Sequence, residues 1–180
     1  MTYPYLNGEK VLLRTIQEDE LEELLTIENE VSLRVLGDDD IPYPFSKESL
    51  TKFLQIEAPN QVFGIYSKEE NRLVGNIAIY NVNQQNLNCE IGLVISEAYQ
   101  SKGFGKEAMQ LVVDFIFNYL PMQKIKLDVF SFNKNAINLY KKMGFKHEGT
   151  LRNELFRFGD FHDMELFGLL RAEWEKLKEV

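Results

Sequence analysis

The stretch from Gln61 to Ile95 constrains the architecture more than any other part of the chain. It reads QVFGIYS, RLVGNIAIYNV and NLNCEIGLVI, runs rich in Val, Ile and Tyr that are parted only by polar turns such as KEEN and NQQN. Such residues suit a pleated, well-covered surface, and turns this short join consecutive antiparallel strands. From Gly105 to Tyr119 the period changes. Ala108, Met109, Val112, Phe115, Ile116 and Tyr119 recur at three and four, the pattern of one buried helical face, and Pro121 ends it. KIKLDVF then reads as a further strand, so the middle of the chain holds one strand-helix-strand crossover.

The flanks follow the same logic. KVLLRTI reads as a strand, and QEDELEELLTIENE as a helix with Leu21, Leu24, Leu25 and Glu28 at helical spacing. GDDDIPYPFS breaks that pattern, after which Ser46 and Ser49 open a second helix carrying Leu50, Phe53 and Leu54. NKNAINLYKKM is a short helix that leaves through a left-handed cap at Gly144. Strands around FKHEGTLRNEL and DMELFGLL and a helix near RAEWEKLKE follow. The expected order is β-α-α-β-β-β-α-β-α-β-β, a mixed α/β (α+β) fold with an antiparallel front half, in one domain spanning residues 1–180.

A net charge of −8 argues against broad nucleic-acid binding, which relies on Lys and Arg to displace counterions, and mildly favours cationic partners. Cys89 is the only cysteine, so no internal disulfide or thiolate metal cluster can form. MTYPYLNGEKV carries no basic region followed by an apolar stretch, and no window reaches the length of a membrane span. The expectation is a cytoplasmic protein without a membrane partner.

YQSKGFGKEA, Tyr99 to Ala108, sits between the last of the three strands and the long helix. Gly103 and Gly105 let the backbone approach a ligand closely, at a helix start whose free N–H groups and dipole favour an anion such as phosphate. Lys102 and Lys106 add positive charge. A Walker loop is excluded, because Gln100 and Glu107 stand where it needs a glycine and a Ser or Thr. Gly103 to Ala108 does fit a relaxed dinucleotide pattern, with Asp128 as the ribose acid, although seven residues separate Ile95 from Gly103 where a dinucleotide turn follows its strand at once. A plain tight helix entry is the third reading.

With its neighbours, this segment resembles the GNAT family of acetyl-CoA-dependent N-acetyltransferases. The acetyl-CoA motif, Gln or Arg-x-x-Gly-x-Gly or Ala, stands here as Gln100-Ser-Lys-Gly103-Phe-Gly105. VFSFNKNAINLYKKMGFKHEG matches the second motif, and EIGLVISEAYQ the strand before the loop. The order of elements, IPYPFS and GDFHDMELFGLL are similar to the branch that holds ribosomal-protein alanine and spermidine acetyltransferases. The resemblance implies a mostly antiparallel sheet with a splayed central strand pair and flanking helices. It implies coenzyme A in that splay, with the backbone of Leu93, Val94 and Ile95 on its pantetheine arm. The pyrophosphate would lie on the N–H groups of Gln100, Ser101, Lys102, Gly103, Phe104, Gly105 and Lys106.

Acetyl transfer to an amine needs a neutral nucleophile, oxyanion stabilisation and a proton for the leaving thiolate. By the resemblance Tyr140 is the general acid to sulfur, although it shares a helical stripe with Ala136, Ile137 and Met143 that periodicity alone reads as core. Glu90 would take the amine proton through a water or hold the cationic substrate; the other reading is a surface carboxylate paired with a neighbouring strand. Asn133 would contact the cofactor arm or only cap a helix, and Lys142 would reach a cofactor phosphate or only face solvent. Cys89 falls on the opposite strand face from Glu90 and reads as structural.

His147 and His162 lack zinc spacing, so no metal is expected. Asp38 to Asp40 could draw a cationic acceptor or simply be a solvated loop. The acceptor is a protein or peptide N-terminus, or alternatively a polyamine, although the loop lacks the acidic-aromatic segment that the polyamine enzymes carry. A non-catalytic acetyl-CoA sensor is a further alternative. A homodimer is possible by the family pattern.

Overall fold

Val11–Arg14 (β1) alternates buried and half-buried residues and pairs antiparallel with Gln61–Ser67 (β2), Val11 opposite Ser67 and Arg14 opposite Gly64. The computed structural model describes residues 6–37 and 39–179. Asp38 and the start of MTYPYLNGEKV, residues 1–5, lie outside the described residues, so the readings attached to them are not taken further. Seven strands form one sheet in the order β1-β2-β3-β4-β5-β7-β6, with Arg72–Asn83 as β3, Asn88–Ile95 as β4, Lys124–Phe130 as β5, Lys146–Arg157 as β6 and Asp160–Leu170 as β7. The expected mixed, mostly antiparallel architecture with flanking helices is what the chain adopts. Backbone contacts divide the chain into two compact units, residues 1–80 with 92–115 and residues 81–91 with 116–180.

In the first unit β2 and β3 pair antiparallel, Gln61 opposite Ile79, with a register shift between Ile65 and Tyr66. Nearly every residue of β2 is buried, which is why its sequence runs apolar instead of alternating. Leu24, Ile27, Leu33 and Leu50 from the helices Leu21–Glu28 (α1), Val31–Leu36 (α2) and Lys47–Leu54 (α3) form a cluster with Tyr66 and Leu73. Phe104–Tyr119 (α4) contributes Phe115, whose ring meets Phe63 edge-on at 6.2 Å.

The single helix expected from QEDELEELLTIENE is instead a 3-10 turn at Glu18–Glu20 followed by α1, and a separate α2 begins at Val31. Two tertiary contacts impose the break. Asn29 exchanges hydrogen bonds with the Phe45 backbone, accepting at 2.7 Å and donating at 3.0 Å. Glu30 accepts from the Ser96 hydroxyl at 2.6 Å and the Glu97 N–H at 2.7 Å. By contrast, α3 starts where the sequence places it: Ser46 accepts from the Ser49 N–H at 3.1 Å while the Ser49 hydroxyl accepts from the Ser46 N–H at 2.8 Å.

In the second unit β4 runs parallel to β5, Asn88 opposite Lys124 and Glu90 opposite Lys126, as the expected crossover requires. The pairing covers Asn88 to Glu90, although β4 itself continues to Ile95. β7 pairs antiparallel with β5 and with β6, and register shifts interrupt β6 between His147 and Gly149 and between Leu151 and Leu155. Lys134–Lys142 (α5) leaves through Gly144 at φ +90°, the left-handed cap expected there. Arg171, first residue of Arg171–Lys178 (α6), donates to the carbonyls of Phe117, Leu120 and Met122 at 2.5, 2.9 and 2.8 Å, closing the chain end of α4.

Candidate active site

The loop before α4 carries left-handed backbone at two positions. Ser101 and Gly103 take positive φ values of +60° and +92° just ahead of a sixteen-residue helix, whose first N–H groups and dipole favour an anion; of the N–H groups expected on the pyrophosphate, that of Gln100 is already spent on the Glu97 carbonyl at 3.3 Å. The two glycines serve different ends. Gly103 supplies the left-handed conformation, whereas a Cβ on Gly105 would come within 3.2 Å of Leu93 and 3.4 Å of Ile95, so its role is close approach of α4 to β4. Helix α4 opens at Phe104, one residue earlier than the periodicity suggests, and the Phe104 ring is buried edge-on against Tyr99 at 5.7 Å. The Lys102 ammonium lies over the Tyr99 ring at 5.1 Å, and Lys106 is exposed. Gln100 is also exposed, but its amide donates to the Ile95 carbonyl at 3.0 Å and ties the loop back to β4.

Two groups that sequence reasoning missed complete this loop. Lys10 donates from its ammonium to the Lys102 carbonyl at 3.1 Å. Glu107, in the first turn of α4, accepts from the N–H groups of Glu9, Lys10 and Val11 at 2.5, 2.9 and 3.1 Å. Sequence separations above ninety residues hide both contacts from any motif.

The backbone expected to hold the pantetheine arm is partly committed. A Cβ on Gly75 would sit 2.1 Å from the Val94 carbonyl oxygen, so that carbonyl faces β3, and the Ile95 carbonyl faces Gln100. Leu93 and Val94 are half-buried and Ile95 is buried.

In the second unit, Glu90 is half-buried on β4. One oxygen pairs with the Lys126 ammonium at 2.8 Å and the other accepts from the Asn81 amide at 3.0 Å. Its neighbour Cys89 points the other way and is fully buried, which pushes the thiol up to about 12, with the Glu90 charge adding to the effect. Such a thiol stays protonated and is no nucleophile at neutral pH.

Tyr140 is buried too, its ring 6.2 Å from that of Phe145 and 6.3 Å from that of Phe167. Burial, and after it the Asp128 carboxylate, raises the phenol to about 12. Among the described residues its hydroxyl has no hydrogen-bond partner, which is unusual for a buried phenol. Asn133 caps α5 by accepting from the Ala136 N–H at 3.2 Å, which leaves its amide N–H groups for other use. Lys142 stands exposed in the last turn of α5.

His147 pairs with Glu165 at 2.6 Å, and His162 faces the Arg157 carbonyl at 3.0 Å, so each has a local structural partner. No group of described His, Cys, Asp and Glu residues could hold a metal ion. No helix among the described residues is long and apolar enough to cross a membrane. In the first unit an open pocket of about 520 Å³ is lined by Glu22, Glu23, Glu30, Arg72, Ser96 and Tyr99 among others.

Residues 10–146 match the acetyltransferase (GNAT) domain family. The SPbeta prophage-derived uncharacterized N-acetyltransferase YokL of Bacillus subtilis (strain 168) is 32% identical over 176 residues, covering 97% of this chain and 98% of that protein. The putative ribosomal N-acetyltransferase YdaF of the same organism is 29% identical over 103 residues, 57% of this chain and 56% of its own. Among solved structures, spermidine N-acetyltransferase from Vibrio cholerae in complex with CoA and spermine superposes with a TM-score of 0.85 at 23% identity, covering 93% of this chain and 99% of that one.

Proposed function

This chain belongs to the GNAT acetyltransferases, which use acetyl-CoA, and on that premise we propose that it moves acetyl to a primary amine by direct attack, the acceptor being a protein or peptide N-terminus. The observation that carries the reading is the left-handed backbone at Ser101 and Gly103 at the head of α4, where the N–H groups of the helix start can take a pyrophosphate. Acetyl-CoA supplies the activated acyl group and a thiolate leaving group. The protein supplies charge, position and protons.

Glu90 holds the acceptor. An ammonium arriving at this carboxylate competes with Lys126 for it, and the same carboxylate can then accept the amine proton through a water. Tyr140 stands as the proton donor to sulfur. With its phenol near 12 and an ordinary thiol near ~8.5, full transfer would be uphill by about 5 kcal/mol, so the phenol must regain a proton as it gives one up. Tyr140 therefore relays to sulfur, through a water, the proton that the nitrogen sheds once the C–N bond has formed and the C–S bond breaks, and it does not persist as tyrosinate. Asn133 would orient the cofactor arm through the amide N–H groups that its cap leaves over, Lys142 would screen phosphate charge, and the Leu93 to Ile95 backbone would pair with the arm.

A polyamine acceptor is the second reading. The pocket of the first unit carries Glu22, Glu23 and Glu30 beside Arg72, and the Vibrio cholerae protein was solved with spermine. We read residues 1–180 as one catalytic domain, cytoplasmic and able to form a homodimer.

A thiol-release assay with acetyl-CoA over Ala- and Ser-initiated peptides, spermidine and spermine tests the proposal. Release on a peptide supports the first acceptor and release on a polyamine alone moves the assignment to the second. Saturable acetyl-CoA binding without release on any amine would make the protein a sensor, and binding of NAD in place of coenzyme A would end the reading.

A further inference from the structure

We propose that Lys10 is a phosphate-binding residue for coenzyme A, an inference that rests on the loop reading above. Lys10 lies just ahead of β1, far from the loop in sequence, yet its ammonium sits on the Lys102 carbonyl at 3.1 Å. It is also 3.4 Å from the point that a Cβ on Gly103 would occupy. It thus stands beside the residue whose left-handed conformation shapes the loop. One of its three N–H donors is used among the described residues, and the other two remain for an anion.

This placement does not depend on a flexible side chain alone. The Glu107 carboxylate clamps the backbone of Glu9, Lys10 and Val11 onto the first turn of α4, and the Gly8 N–H donates to the Val11 carbonyl at 2.8 Å to close the turn. A Cβ on Gly8 would fall 2.5 Å from the Glu107 carboxylate oxygen, so a larger residue there would push the clamping carboxylate aside. The clamp has an electrostatic consequence as well. A carboxylate in the first turn would oppose a phosphate, and engaging it with N–H donors while holding an ammonium nearby turns the local balance positive. Lys10 joins Lys102 and Lys106 in a protein whose net charge of −8 otherwise repels a polyanion.

The test titrates coenzyme A and 3′-dephospho-coenzyme A calorimetrically into the wild type, Lys10→Met, Lys10→Arg and Gly103→Asp, and measures KM for S-acetylpantetheine, which has no phosphate. Lys10→Met should weaken coenzyme A binding on the order of tenfold or more, the loss shrinking at high salt, and Lys10→Arg should restore most of it. KM for S-acetylpantetheine should not move. A Lys10→Met effect that persists with 3′-dephospho-coenzyme A assigns the contact to the pyrophosphate, and one that vanishes assigns it to the 3′-phosphate. Wild-type affinity in Lys10→Met alongside lost binding in Gly103→Asp overturns the Lys10 proposal alone. An equal loss for S-acetylpantetheine also overturns it, since Lys10 would then only support the loop. Undiminished binding in Gly103→Asp, or none in the wild type, removes the loop reading itself.

Discussion

Replacing Tyr140 by Phe separates a catalytic phenol from a core aromatic. The ring packs against Phe145 and Phe167, and those contacts survive the change. The hydroxyl is buried without a hydrogen-bond partner among the described residues, and an unpaired buried polar group costs about 1–3 kcal/mol. Its deletion should therefore leave stability unchanged or raise it by up to about 1 kcal/mol, a Tm rise of no more than about 4 °C for a chain of this size. Turnover should behave in the opposite way. Loss of a positioned proton donor lowers kcat on the order of a hundredfold or more, about 3 kcal/mol, with coenzyme A affinity unchanged. The assay is thermal unfolding beside steady-state thiol release, using an acceptor for which the chemical step limits the rate. Because burial holds the phenol near 12, wild-type activity should show no fall near pH 10 that disappears in Tyr140→Phe. Unchanged kcat, or destabilisation beyond about 1.5 kcal/mol, would return Tyr140 to the core and refute the argument.

Glu90→Gln should cost under about 1 kcal/mol of stability, since its pair with Lys126 is partly exposed, yet lower kcat/KM for the amine at least tenfold with coenzyme A affinity unchanged in calorimetry. At Glu20, burial alone would raise the carboxyl, but hydrogen bonds from Arg14, the Gln17 N–H and the Tyr66 hydroxyl outweigh it and bring it down to about 2. The corresponding ceiling is about 3 kcal/mol; with Arg14 35% and Glu20 20% exposed, screening leaves about half, so Glu20→Gln should lose about 1.5 kcal/mol at neutral pH. Being a lowered carboxylate pKa, that stability is present above pH 4.5 and lost as pH falls toward 2, so chemical denaturation of the two proteins should converge in acid. Cys89, fully buried with its thiol near 12, should resist iodoacetamide in the folded protein, and Cys89→Ala should keep wild-type kcat.

The elements whose signals are local were legible in the sequence. The Ser46 and Ser49 capping box, the Gly144 exit, the three consecutive strands and the apolar stripe of α4 each depend on residues within a turn or two of one another, and periodicity or cap chemistry reports such geometry directly. The turn at Gly103 was legible for the same reason, because its left-handed backbone is written as a glycine, whereas the same conformation at Ser101 carries no such mark. Tertiary structure decided the rest. It split the first helical pattern at Asn29 and Glu30 through bonds to Phe45, Ser96 and Glu97, and it buried Tyr140 while committing Glu90 to Lys126 and Asn81. It also brought Lys10 to the Lys102 carbonyl, with Glu107 holding the Lys10 backbone, contacts across more than ninety residues. A hydrogen bond between distant segments leaves no periodic trace in either, since one N–H meets any carboxylate that the fold delivers to it, and only the packed sheet and helices determine which one arrives.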